Sequence, residues 1–465
     1  MGFITSLIFI TPKWLFLRLL LLLVPSANAA FSGEVVKYLP GYDGQLPFKL
    51  ETGYVSVNHS ELFYYFIESQ GEPETDPLFF WFSGGPGCSS FNGLIYEIGP
   101  LQFDINHYDG GLPTLLNYPY SWTETASFVF VDSPVGTGFS YSTSSDWSTS
   151  DTLSAEQAQF VRKWLEEHSQ YLHLRLFIGG DSYSGIIVPL ITLKIVQGND
   201  AGLKPHLNLT GYYAGSPVTD IYITKNSRFK FAHRLALISD QLYEKLKSSC
   251  KGDYVNVDAN ETACQTAIFQ YEKNIEDIYT DNILLPDCAF DESRNLYHPL
   301  SLQRPSPKLS SDFWCWDFNH SLSNYWANDP SVQEALHVRK GKIKYWERCN
   351  ETLSYTNDVE TVVHVHQWLS HRKLQALVNN GDRDMTVPYV AAEEWLKILN
   401  LTVSSKWRPW FVDGQVAGYT RSYHEKATGY RLEYGTVKGA GHTAPEYSRK
   451  NCYEMFRRWI HYYPL

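Results

Sequence analysis

Leu176-Phe177-Ile178-Gly179-Gly180-Asp181-Ser182-Tyr183-Ser184-Gly185 is the stretch on which the reading of the chain turns. A short apolar strand, Leu176 to Ile178, runs into small residues, and a helical stretch, Ile186 to Val196, follows. A sharp strand-to-helix turn of this kind pushes a serine hydroxyl out of the chain, while small neighbours avoid clashing with it. The match to G-x-S-x-G is imperfect, because Ser184 holds the fifth position and the glycine comes one residue later. Taken alone, the hexapeptide from Gly180 is more often an ordinary Gly/Ser turn.

A serine hydroxyl is a weak nucleophile that needs a base, and the base needs an orienting carboxylate. Asp384 sits in Gly381-Asp382-Arg383-Asp384, just past a predicted strand over Lys373 to Asn379. His442 sits in Gly439-Ala440-Gly441-His442, after another over Glu433 to Lys438. Strand C-terminal ends are where open α/β sheets build their sites. Separately, His442 reads as a packed core histidine and Asp384 as a turn residue, with Asp382 an equal candidate. Together, serine, aspartate and histidine in this chain order at equivalent places make a catalytic triad. An acyl-transfer site also needs two backbone N–H groups aimed at the developing oxyanion. Tyr183, following the nucleophile, offers one, and the Gly84-Gly85 loop after the strand Leu78 to Phe82 offers the other.

The wider pattern agrees. Gly53 to Phe66 alternates as strands do, Ser127 to Val131 is a further buried strand ending in Asp132-Ser133-Pro134, and Ser154 to His168 reads as a helix. Alternating strands and helices predict a mainly parallel sheet covered on both faces. From about residue 220 to 325 the apolar strands thin out and Cys250, Cys264, Cys288 and Cys315 appear. The expectation is an α/β-hydrolase fold with an inserted, mostly helical cap: core over 30–219, cap over 220–325, core again over 326–465.

Residues 1–29 read as a secretory leader, with Lys13 and Arg18 flanking the apolar Leu19 to Val24 ahead of Ala27-Asn28-Ala29. The rival reading, a membrane anchor, is weakened because Pro12, Lys13 and Arg18 interrupt the apolar stretch. Six glycosylation sequons, at Asn58, Asn208, Asn260, Asn319, Asn350 and Asn400, agree with export. The seven cysteines show no zinc spacing and read as three disulfides plus one free thiol, with pairing left open. A net charge of −11 without a dense Lys/Arg run argues against nucleic-acid binding. His364, His366 and His371 are closely spaced, but no carboxylate or thiolate completes a metal set, and packing is the better reading. No cofactor is implied.

Several stretches together are similar to the plant serine carboxypeptidase-like family over nearly all of the mature length. They are Trp81-Phe82-Ser83-Gly84-Gly85-Pro86-Gly87-Cys88-Ser89-Ser90, Asp132-Ser133-Pro134-Val135-Gly136-Thr137-Gly138-Phe139-Ser140-Tyr141, the Ser182 hexapeptide, Tyr325-Trp326-Ala327-Asn328-Asp329 and Gly439-Ala440-Gly441-His442-Thr443. The resemblance implies the triad Ser182, Asp384 and His442, choosing Asp384 over Asp382, and the oxyanion donors Gly85 and Tyr183. It also implies disulfides Cys88–Cys349, Cys250–Cys264 and Cys288–Cys315, with Cys452 unpaired, and a secreted or vacuolar location.

By the same resemblance, the family's peptidases hold a substrate carboxylate with a Glu before the nucleophile, a second Glu, and an Asn in the first glycine loop. Here those positions carry Asp181, Glu97 and Ser83, beside Gly84. Asp181 is one methylene shorter than Glu, and Ser83 offers no amide. Asp before the nucleophile is similar to the acyltransferase branch, which moves acyl groups from 1-O-β-acylglucoses onto acceptor hydroxyls in specialised metabolism. The expected partners are therefore a small glucose-ester donor and an acceptor, with no membrane contact once the leader is removed. Serine carboxypeptidase activity is the alternative, and an idle binding protein is disfavoured by the intact triad.

Overall fold

The computed structural model describes Gly2 and residues 33–291, 296–299 and 316–465. The leader and the expected Cys288–Cys315 bridge fall outside these residues.

The chain from Gly33 builds one large sheet. Its strands are β1 (Glu34–Val36), β2 (Leu50–Val57), β3 (Ser60–Ile67), β4 (Leu78–Phe82), β5 (Ser127–Val131) and β6 (Leu176–Asp181). The remainder are β7 (Leu209–Gly215), β8 (Gln375–Gly381), β9 (Val403–Val412), β10 (Gln415–Glu425) and β11 (Tyr430–Val437). They lie side by side in the order β1-β2-β3-β5-β4-β6-β7-β8-β11-β10-β9, with the short Tyr141–Ser142 segment paired onto β3. The six central strands, β5 through β11, run parallel, and antiparallel hairpins finish both edges.

Parallel strands buried on both faces must be apolar on both, and β4 shows it: all five residues, Leu-Phe-Phe-Trp-Phe, are buried. Phe79 and Trp81 face one layer with Phe177, Tyr213 and Leu377, packed under Phe456 and Trp459 of α8 (Arg449–Ile460). Phe80 and Phe82 face the other with Ile178, Tyr212 and Val378, under α1 (Ala158–Glu167) and α2 (Ser184–Asp200). Between β7 and β8 the chain leaves the sheet through α3 (Ile221–Arg234), α4 (Asp240–Cys250), α5 (Thr262–Ile275) and α6 (Trp316–Ala327). Helices α3 to α5 have their own small core of Phe229, Leu246 and Tyr271, which reaches Met385 beside Asp384 and Val390 of α7 (Tyr389–Ile398).

Register then sets the site. Gly180 pairs with Phe82, Asp181 with Gly215, Gly215 with Asn379, and Gly381 with Val437. The ends of β4, β6, β7, β8 and β11 therefore lie level, and the loops leaving them converge.

Candidate active site

The turn from β6 to α2 is built on steric necessity. Ser182 has φ +57, the left-handed region that costs a non-glycine residue about 1–3 kcal/mol. Its N–H donates to Gly215 O at 2.8 Å, and its carbonyl accepts from Gly185 N at 2.9 Å and Val218 N at 3.0 Å. A Cβ at Gly180 would lie 2.1 Å from the Phe82 carbonyl oxygen, and one at Gly84 would lie 2.7 Å from both Ser182 Cβ and Tyr183 N. These glycines allow the first loop to lie directly against the serine.

His442 Nε2 is 2.7 Å from Ser182 Oγ, and its Nδ1 is 3.0 Å from Asp384 Oδ2. Asp384 is fully buried, and its other oxygen accepts from Val387 N at 2.9 Å. Burial alone would favour a neutral imidazole, but the charge and hydrogen bond of Asp384 outweigh it and raise His442. Asp382, the other sequence candidate, instead accepts from Gly439 N and Lys438 Nζ and does not face the imidazole. A cap segment braces both loops: Asp281 O accepts from His442 N at 2.6 Å, Thr280 O from Met385 N at 2.9 Å, and Arg383 O from Ile283 N at 3.1 Å.

The N–H groups of Gly85 and Tyr183 donate to no acceptor among the described residues. Two idle amides on loops against the serine are what an oxyanion hole requires. Both loops are tied down. Tyr183 donates through its hydroxyl to buried Asp151 at 2.7 Å, and Tyr355 reaches the same oxygen at 2.8 Å. The Gly85 loop is held by Asp132, which accepts from Ser89 Oγ at 2.5 Å and Ser90 N at 3.0 Å, and on its far side from Phe139 N at 2.9 Å. Burial pushes Asp132 up to about 7 despite these bonds.

Ser83, Gly84, Gly85, Glu97, Asp181, Ser182 and His442 line a single cavity of about 200 Å3. Four of its polar atoms, Asp181 Oδ1, Glu97 Oε2, Asn92 Oδ1 and Ser83 Oγ, are buried without a hydrogen bond. Burial, then Asp181 and Glu446, drive Glu97 well above the ordinary carboxyl range. Burial also raises Asp181, to about 6, against the opposing pull of His442. Glu446 differs: His320 at 2.6 Å and Thr443 at 2.6 Å overcome its burial and hold it low. Arg348 also lines the cavity and forms no ion pair among the described residues.

The disulfides Cys88–Cys349 and Cys250–Cys264 are present, and Cys452 is free and buried. Among the sequons, Asn58, Asn208, Asn260 and Asn400 are exposed. Asn319 is half-buried, and so is Asn350, whose Nδ2 donates to Gly136 O at 2.9 Å. His366 is a core residue bonded to Tyr212 Oη at 2.8 Å, and burial drives it down to about 3. Among the described residues no helix is long and apolar enough to cross a membrane. Sequence reading missed Asp132, Asp281, His320, Arg348 and Glu446. Of these, Asp132 heads a stretch already singled out, and Glu446 falls four residues after His442.

A mixed sheet with a parallel centre, less uniformly parallel than the sequence suggested because hairpins complete both edges, bears serine, aspartate and histidine at its strand ends and defines a serine enzyme of the α/β-hydrolase class. The sequence model of the serine carboxypeptidase family matches residues 40–462, and the chain belongs to that family. It is 44% identical to serine carboxypeptidase-like 16 of Arabidopsis thaliana over 97% of this chain and 98% of that protein. It is 42% identical to serine carboxypeptidase-like 17 of the same plant over 96% and 97%. Among solved structures it is similar to Kex1Δp, a prohormone-processing carboxypeptidase from Saccharomyces cerevisiae. That match has a TM-score of 0.70 and 17% identity, covering 89% of this chain and 91% of that one.

Proposed function

We propose that this chain is an acyltransferase that moves an acyl group from a 1-O-β-acylglucose to an acceptor hydroxyl through a Ser182 acyl-enzyme. The observation carrying this reading is the pair of unpartnered hydrogen-bond acceptors beside the nucleophile, Asp181 Oδ1 and Asn92 Oδ1, with the Ser83 hydroxyl also unbonded. A sugar brings several hydroxyl donors to such a wall. A free carboxylate brings only acceptors, and Asp181, ionised above about 6, repels it.

In the first half-reaction His442 takes the Ser182 proton, the hydroxyl attacks the acyl carbon, and the Gly85 and Tyr183 amides stabilise the oxyanion. His442 then returns the proton to the departing glucose. In the second half the acceptor hydroxyl attacks the acyl-enzyme, and its proton passes through His442 to Ser182. An oriented acceptor reaches an effective molarity of roughly 10⁵–10⁸ M, enough to outcompete bulk water.

The second reading, serine carboxypeptidase, is favoured by one observation: Arg348 lines the cavity without an ion-pair partner among the described residues and is a ready anchor for a carboxylate. The two are separated by offering purified protein acylglucoses with hydroxyl acceptors and, in parallel, N-blocked dipeptides. Ester formation that falls about 10⁶-fold in Ser182→Ala supports transfer. Release of C-terminal amino acids without ester formation overturns it.

A further inference from the structure

Beyond the catalytic cavity lies a second one, of about 290 Å3. Tyr96 and Glu446 line both, so the two compartments adjoin at these side chains. Tyr96 directly precedes Glu97 in the chain, so this junction lies on the Glu97 side of the catalytic cavity. Under the proposed reaction, that side receives first the leaving glucose and then the acceptor.

The side chamber is lined by aromatic rings, Tyr118 and Trp316, together with Gln102, Asp104, Asn106 and Arg449. Arg449 is the unusual member. It is 6% exposed, yet among the described residues it has no carboxylate in ion-pair contact. Its guanidinium donates to the carbonyls of Ile95 at 3.1 Å and Gly99 at 3.4 Å and lies 3.7 Å from the centroid of the Tyr118 ring. A buried guanidinium has five N–H donors to satisfy, and two carbonyls leave some of them for a ligand.

A carboxypeptidase leaving group ends at its carboxylate and needs no room past the acidic pair. We propose that the side chamber is an acceptor subsite, taking a hydroxylated aromatic ring that the acceptor carries beyond its reacting hydroxyl. The ring lies against the aromatic residues, and its hydroxyls bond to Arg449, Asp104 and the amides. This inference rests on the acyltransferase reading.

The test compares two acceptors with a 1-O-β-hydroxycinnamoylglucose donor: methyl β-glucoside, with one ring, and p-hydroxyphenyl β-glucoside, with two. Asn106 and Leu116 line the chamber and are exposed, so Asn106→Trp and Leu116→Trp fill it without disturbing the core. In the unmodified enzyme the two-ring acceptor is expected to show a KM at least tenfold lower. The variants are expected to erase that preference and to shift the acyl-enzyme from transfer toward hydrolysis, with donor KM unchanged. Equal KM values in the unmodified enzyme, or a preference that survives both variants, overturns the subsite. If neither acceptor yields ester while dipeptides are cleaved, the acyltransferase reading itself fails and the subsite falls with it.

Discussion

Asp132 makes no contact with Ser182, yet it holds the loop that carries the Gly85 amide. Its carboxylate bridges Ser89 and Ser90 of one loop and Phe139 of another. Asp132→Asn turns an acceptor into a partial donor facing two N–H groups. The expected result is a folded protein with kcat lowered roughly 10²-fold, as for a small misplacement of a reacting group, and KM little changed. A KM increase with kcat intact would remove Asp132 from this positioning role. Asp384→Asn is expected to cost about 10⁴-fold in kcat by presenting the wrong tautomer of His442, whereas Asp382→Asn leaves kcat within a few-fold. Asp181 predicts a pH effect: as it ionises above about 6, affinity for any carboxylate-bearing ligand falls, and in Asp181→Asn that dependence flattens. The triad was legible because each member follows its own strand in the chain. Asp132 heads a stretch already singled out, but its role depends on two loops crossing in space, which residue order does not encode.

The glycine loop after β4 is the element on which both halves of the site hang. Cys88 joins it to Cys349, next to Arg348, across a sequence separation of 261 residues. Closing so long a loop restricts the unfolded chain strongly, and such bridges stabilise typically by about 2–4 kcal/mol. The double variant Cys88→Ser, Cys349→Ser is therefore expected to melt at a lower temperature and also to lose kcat, because Gly85 is released with it. Cys250→Ser with Cys264→Ser, closing a separation of only 14, should lower melting less and leave kcat close to unmodified. Equal losses of kcat from the two pairs would contradict this. The apolar strands β4, β5 and β6 were readable as runs. Two other elements were not. Strand β7 mixes Thr, Gly and Tyr, and its burial comes from flanking strands. The β9–β10 hairpin is an exposed edge with no hydrophobic alternation to betray it: Trp407, Phe411 and Tyr419 all face outward.

At the scale of the whole molecule, buried carboxyls set how stability depends on pH. Glu97, Asp132 and Asp181 are raised in the fold, the last two to about 7 and about 6. Between their ordinary values and these, the folded state binds more protons than the unfolded, so stability falls as pH rises through that window. His366, depressed to about 3 by burial, works in the opposite direction only below its ordinary value. The expected outcome is a melting temperature that declines from about pH 6 to 8, with a shallower decline in Asp132→Asn; a melting temperature that rises over that range would refute it. The α/β alternation and the helical insertion were visible in the sequence pattern, while the side chamber, assembled from five separate segments of chain, was not. One contact gives the insertion a further meaning. The carbonyl of Asp281 receives the N–H of His442, so residues that arrive with the cap finish the catalytic loop. Exchanging caps between relatives is thus not a modular operation: a graft that carries off Tyr279 to Ile283 removes a brace of the host's own base, and a workable splice has to leave that strip behind.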